Sequence, residues 1–110
     1  MEGSFFSTHY APDIATDKAK KFIAEYEAKY GKKPDDVAAL TSDALELLLK
    51  AIEQAGTLDR TKVRDTLNNI KEFEGITGKM TFQGTGDPVK SAVILQVKDG
   101  KFAYLTNVQP

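Results

Sequence analysis

Three side chains that could contact a ligand follow one another near the amino terminus: the Thr8 hydroxyl, the His9 imidazole and the Tyr10 phenol. They come at the end of the short aromatic run SFFST, whose composition predicts a strand over 4–8. In open α/β sheets, ligands bind in the crevice outside the ends of the strands. The three residues are therefore candidate ligand contacts. Partial burial of the amphipathic Tyr10 ring in ordinary packing is an equally open interpretation.

Metal binding is not expected at His9. It is the only histidine, and the chain has no cysteine. Zinc and similar ions need several imidazole, thiolate or carboxylate ligands at suitable spacing. A packed or surface histidine is therefore favoured, and the sequence predicts neither a metal nor a cofactor.

A second polar group, which includes Ser42 and Asp43, precedes a leucine-rich run. Serine and aspartate are preferred N-cap residues, so capping of the following helix is the favoured interpretation, and ligand contact is the alternative. No nucleophile with a base and an orienting group can be assembled from the sequence. We therefore expect no enzymatic activity.

Length and charge limit the partners of the chain. With 110 residues the chain is expected to form a single domain over 1–110. The net charge is −1, and the basic residues are scattered, so nucleic acid is not an expected partner. The start, Met1-Glu2-Gly3, lacks the basic and apolar segments of a signal peptide, and none is expected in this chain.

Helical periodicity dominates the first part of the chain. Apolar residues three and four apart predict an amphipathic helix over 17–30, ended by Gly31. The run at 36–40 is interpreted as a strand or extended link. A second helix over 42–55 is apolar around more than half of its circumference, so it requires burial on more than one side. Asp59 is expected to cap a third helix over 60–70.

Strand signals follow after Phe73. Alternation over 78–82 and the apolar run at 91–97 predict two strands, and Asp99-Gly100 predicts a tight hairpin turn to a strand that begins at Lys101. The expected order is β-α-β-α-α-β-β-β. The fold class is α/β, with about three helices, a short mixed sheet and a C-terminal β-hairpin.

Three stretches carry a family resemblance: SFFSTHYAPD, FIAEYEAKYGKKPDDVAALTSDALELLLKAIEQAG and VRDTLNNIKEFEGITGKMTFQGTGDPVKSAVILQVKDGKF. Together they resemble the C-terminal portion of a type I periplasmic binding protein of the branched-chain amino acid (Leu/Ile/Val) group. The most specific part is the phrase F-x-G-x-T-G, followed by an alternating strand, a GDP turn and the VKDGKF hairpin.

The resemblance implies a fold of two α/β lobes that close on a small ligand and deliver it to an ABC importer. The full-length protein would be periplasmic or extracellular, and its partners would be an amino acid and the ABC permease. This chain would be a truncated segment that holds pieces of both lobes. The leucine-rich helix would then lack its family partners, which favours homo-oligomerisation, including exchange of segments.

The resemblance also implies which residues face the ligand. Aromatic and hydroxyl residues of the loop that contains Thr8, His9 and Tyr10 line the amino acid pocket in relatives. The stretch TSDA at 41–44 stands where relatives read Gly-Tyr-Asp-Ala, so Asp43 is matched, whereas Ser42 replaces the tyrosine. The elements that fix the ligand's carboxylate are not in this chain, and the expected site is incomplete. The alternative is an autonomous or engineered self-associating fragment without ligand-binding activity.

Overall fold

The structure, a computed structural model, describes residues 1–11, 13 and 15–110. This part of the chain contains three α-helices and six strands. In chain order they are β1 (Phe5–Thr8), α1 (Asp17–Tyr30), α2 (Asp36–Ala55), α3 (Arg60–Asn68), β2 (Phe73–Gly75), β3 (Gly78–Phe82), β4 (Pro88–Lys90), β5 (Ala92–Lys98) and β6 (Lys101–Val108). The α/β class and the three helices are confirmed.

Helix α1 begins and ends where the sequence predicts. The Thr16 side chain accepts a hydrogen bond from the Ala19 amide at 3.2 Å and so caps the first turn. At the other end Gly31 adopts a left-handed conformation with φ 68°, and its N–H donates to the Glu27 carbonyl. Both ends are thus fixed by local hydrogen bonds.

Helix α2 begins earlier than predicted. Asp35 is its N-cap and accepts a hydrogen bond from the Ala38 amide at 2.8 Å. The run at 36–40 therefore forms the first turn of α2, and its interpretation as a strand or extended link is wrong. The prediction that Ser42 and Asp43 cap the helix is also wrong, because the better-placed Asp35 starts the helix one residue after Pro34, a residue that cannot belong to its interior.

Apolar residues lie on two opposite sides of α2. Ala39, Leu47 and Ala51 are buried against the rest of the protein. Leu45 and Leu49 are 59% and 57% exposed, and at about 3.6 residues per turn they project away from the buried side. The two-sided apolar helix that the sequence indicates is therefore covered on only one side.

Helix α3 packs on α2 at the surface, as its narrow apolar stripe predicts. Asp59 caps it by accepting a hydrogen bond from the Lys62 amide at 3.0 Å. Val63 and Leu67 are partly buried against the core, whereas Ile70 lies beyond the end of the helix and is 3% exposed. The helix ends at Asn68, two residues before the predicted end.

The strands form two three-stranded antiparallel sheets, with the orders β1-β5-β6 and β2-β3-β4. Every strand pair in the described part of the chain is antiparallel, so the expectation of one short mixed sheet is corrected. The strands β2 and β4 were not predicted, since three residues are too few for a clear alternation. The Asp99-Gly100 turn is confirmed, with positive φ at both residues, 52° and 71°.

Two apolar clusters share α2. One joins α2 to the sheet β2-β3-β4 and contains Leu47, Ala51, Ile70, Phe73, Met80 and Phe82. The other joins α2 to α1 and contains Tyr10, Ala19, Ala39 and Ile76. The turn between β2 and β3 thus lies where α2 meets the segment that follows β1.

Candidate functional site

A small cavity lies beside Tyr10. Its volume is about 180 Å³. Its walls come from the segment after β1, the start of α1, the β2–β3 turn and the strands β5 and β6: His9, Tyr10, Ala11, Ala15, Thr16, Ile76, Thr77, Gly78, Ser91, Val93 and Asn107. We call this space the Tyr10 cavity. It combines apolar walls with hydroxyl, amide and imidazole groups.

The Tyr10 hydroxyl is buried without a hydrogen-bond partner among the described residues. The whole side chain is 7% exposed. Burial raises the pKa of the phenol above its ordinary value, so the group is neutral at physiological pH. A buried hydroxyl without a partner costs about 1–3 kcal/mol.

The other two residues of the β1 segment lie differently. His9 is exposed and lines the Tyr10 cavity. The Thr8 hydroxyl is 3.5 Å from the Tyr10 carbonyl oxygen, to which it donates, and Thr8 lines a separate groove that also includes Phe6 and Phe102. Tyr10 borders both spaces. The structure therefore brings His9 and Tyr10 together in one cavity and places Thr8 in the neighbouring groove.

Ser42 and Asp43 point in different directions from α2. Ser42 is half-buried and lines a groove between α1 and α2 that includes Phe22 and Tyr26. Asp43 is only 1% exposed, and its carboxylate reaches the β2–β3 turn. Neither side chain lines the Tyr10 cavity.

The Asp43 carboxylate accepts three hydrogen bonds. Its Oδ1 accepts from the Ile76 amide at 2.6 Å, and its Oδ2 accepts from the Thr77 amide at 2.9 Å and from the Thr77 hydroxyl at 2.6 Å. The Lys90 ammonium in turn donates to the Thr77 hydroxyl oxygen. We call these four residues, Asp43, Ile76, Thr77 and Lys90, the carboxylate anchor.

Two further features belong to the carboxylate anchor. A methyl group added at Gly75 would lie 2.5 Å from Asp43 Cγ, so only glycine leaves room for the carboxylate. Burial lowers the pKa of the Lys90 ammonium, and the negative charge of Asp43 opposes that shift. The anchor therefore holds one buried carboxylate with hydrogen bonds on both oxygens and a cation nearby.

Sequence reasoning did not find the partners of Asp43. Gly75, Thr77 and Gly78 all belong to the F-x-G-x-T-G phrase, which was recognised as a pattern and not as one wall of a cavity. Ser91 and Asn107 were missed because only the pairing of β5 with β6 brings the residue before β5 close to the end of β6. A buried acid in mid-helix together with a glycine and a threonine in a tight turn is the signal that could have linked them.

The chemistry available here is hydrogen bonding and apolar contact. In the described residues no three His, Cys, Asp or Glu side chains are grouped in a way that could hold a metal ion. No helix in the described part of the chain is both long and apolar enough to cross a membrane. Neutral hydroxyl groups beside apolar walls suit a ligand with a polar head and an aliphatic side chain.

Most of the chain matches a known protein family. The family described as periplasmic binding protein matches residues 1–101. This range includes the segment after β1, the helices α1, α2 and α3, and both strands of the β2–β3 hairpin.

Solved structures agree with that match. A leucine binding protein, LivK, from Thermotoga maritima shares 40% sequence identity over 99% of this chain, with a TM-score of 0.89. LivJ from Streptococcus pneumoniae, in complex with isoleucine, shares 31% identity over 96% of the chain, with a TM-score of 0.84. A substrate-binding protein from Desulfitobacterium hafniense in complex with Leu shares 30% identity over 94%, with a TM-score of 0.83. The chain spans 31%, 30% and 31% of the lengths of these relatives.

Proposed function

Because the chain belongs to the periplasmic binding protein family, we propose that it is a segment of an ABC-transporter substrate-binding protein for branched-chain or related amino acids. Relatives described as a leucine binding protein and as an isoleucine complex support this ligand class. In the full-length protein the ligand would pass to an ABC permease at the membrane. The location would be the periplasm or the extracellular side, and the protein would bind its substrate without catalysis.

The buried, unpartnered Tyr10 hydroxyl is the observation that carries the proposal. An amino acid offers an ammonium and a carboxylate that could pair with this hydroxyl, and an aliphatic side chain that could contact Ile76 and Val93. The cavity of about 180 Å³ is smaller than the roughly 300–1,000 Å³ of pockets for drug-sized ligands. A small metabolite matches it better than a large ligand does.

We propose that residues 1–110 form one domain with only part of the ligand site. Tyr10 and His9 contact the ligand directly, and Thr8, in the groove that Tyr10 also borders, lies next to it in the full-length protein. Each hydrogen bond to a charged ligand group contributes about 1.5–3 kcal/mol. Loss of two such bonds changes a micromolar affinity of about −8.2 kcal/mol into a millimolar one of about −4.1 kcal/mol.

The second candidate function is self-association without ligand binding. The exposed side of α2, with Leu45, Leu48 and Leu49, favours this interpretation, because adjacent exposed leucines mark interaction surfaces. A second copy of this chain carries the same apolar side, and a symmetric dimer would cover both at once. Exchange of a segment between copies is a different form of association.

Replacing Tyr10 with phenylalanine tests the binding proposal. We expect leucine affinity to fall about tenfold or more, which corresponds to loss of one hydrogen bond to a charged group. The free energy of unfolding should stay the same or rise by about 1 kcal/mol, because a buried hydroxyl without a partner disappears. Leucine titrations followed by NMR and urea unfolding curves measure the two quantities.

The matched control is Tyr26→Phe, since Tyr26 lines the groove between α1 and α2 and not the Tyr10 cavity. This variant should bind leucine as the unmodified protein does. Equal loss of affinity in both variants, or a Tyr10→Phe protein that binds normally, would remove the Tyr10 cavity as the ligand site.

A further inference from the structure

The β2–β3 turn is joined to α2 by hydrogen bonds to the Asp43 carboxylate. It consists of Ile76 and Thr77 between Gly75 and Gly78, which pair across the hairpin. Gly78 has φ 112°, a conformation that side chains with a Cβ rarely adopt. The amides of Ile76 and Thr77 point to Asp43 instead of to the hairpin, so α2 supplies their acceptors.

The same two residues form a wall of the Tyr10 cavity. The Ile76 side chain is 7% exposed and packs in one cluster with Tyr10. The Thr77 hydroxyl donates its only proton to Asp43 and accepts from Lys90. A displacement of the turn would therefore move the cavity wall that faces Tyr10.

We infer that Asp43 is a positioning residue for the Tyr10 cavity: through Ile76 and Thr77 its carboxylate fixes the wall against which the ligand packs. The effect on a ligand rests on the proposed function. The support of the cavity wall rests only on the hydrogen bonds of Asp43. Asp43 itself lies behind that wall and is 1% exposed, so its effect on a ligand passes through the turn.

Only a carboxylate satisfies this arrangement. Three donors converge on its two oxygens, and an ionised aspartate is an acceptor at both. Asparagine has one acceptor oxygen, and its NH₂ group would face at least one N–H donor. Glutamate would need room that Gly75 does not leave, because the carboxylate already lies where a methyl group at Gly75 would be.

Asp43→Asn is the direct test. Amide hydrogen exchange at Ile76 and Thr77 should accelerate about tenfold or more, whereas exchange at Ala51, on the same helix, should change little. Leucine affinity should fall by a similar factor. The matched control is Asp36→Asn, which removes one exposed carboxylate from the first turn of α2 and should leave both readouts unchanged.

Thr77→Val serves if Asp43→Asn does not fold. It removes the hydroxyl bond and keeps both amide bonds to Asp43, so exchange at Thr77 should accelerate while exchange at Ala51 stays the same; unchanged exchange at Thr77 would overturn the support of the wall. Because Thr77 itself lines the cavity, leucine affinity is not used as a readout for this variant.

Each outcome decides a separate statement. Unchanged amide exchange at Ile76 and Thr77 in Asp43→Asn overturns the claim that Asp43 holds the β2–β3 turn in place. Faster exchange with unchanged leucine affinity overturns the positioning role and leaves a structural one. A lack of leucine binding by the unmodified protein overturns the proposed function and the effect of Asp43 on a ligand. The exchange rates in Asp43→Asn still test whether Asp43 holds the β2–β3 turn in place.

Discussion

Replacing Gly75 with alanine should lower the free energy of unfolding by about 3–5 kcal/mol, the range measured when a buried charged group loses its partners. The new methyl group would lie 2.5 Å from Asp43 Cγ and from Asp43 Oδ2. The carboxylate cannot move aside without breaking its bonds to Ile76 and Thr77. Urea unfolding of the two proteins measures the difference.

Two controls separate this steric cause from general effects of replacing glycine. Gly84→Ala lies in an exposed turn with nothing within 4 Å and φ 82°, so it should cost only about 1–2 kcal/mol from the left-handed backbone. In an Asp43→Ala background, Gly75→Ala should cost much less than in the unmodified protein, since the clashing atoms are gone. Additive losses in this double-mutant cycle would show that Gly75 and Asp43 do not interact.

The unmodified chain should be a dimer in sedimentation equilibrium, and the Leu45→Glu/Leu49→Glu variant should be a monomer. Complete burial of one leucine contributes about 1.5–3 kcal/mol, and a symmetric dimer would bury four from these two positions. Charged side chains there would remove that gain and add like-charge repulsion across the interface. The dissociation constant should therefore rise by several orders of magnitude.

Leu105→Glu is the matched control, because Leu105 lies on β6 and is also exposed, at 44%. It adds one negative charge per chain away from α2, where the double variant adds two, and should leave the dimer intact. A 12.1 kDa monomer for the unmodified protein at high concentration would contradict the proposed self-association. Equal dissociation of both variants would place the interface elsewhere.

Local signals predicted the helices well. Thr16, Gly31, Gly56 and Asp59 each form a cap with bonds between residues close in sequence, so the sequence alone contains the information. The start of α2 was misplaced because two sets of acidic and hydroxyl residues could cap it. Asp35 forms the N-cap of α2, so Asp43 lies in the middle of the helix, where its carboxylate makes long-range hydrogen bonds.

The candidate site was only half predictable. Tyr10 and His9 follow a strand, and a strand end is a local cue. The carboxylate anchor depends on pairs 33 and 34 residues apart along the chain, which no periodicity reveals. The F-x-G-x-T-G phrase now has a physical basis in this protein: Phe73 fills the core, Gly75 leaves room for Asp43, Thr77 bonds to it and Gly78 closes the turn.

Isotope-filtered NOE spectroscopy with saturating leucine tests the central proposal most directly, because it locates the ligand even when binding is weak. We predict cross-peaks from the leucine methyl protons to the Tyr10 ring and to the side chains of Ile76 and Val93, which line one cavity. Cross-peaks only to Tyr26 and Leu45, in the groove between α1 and α2, or no cross-peaks at any residue, would contradict it.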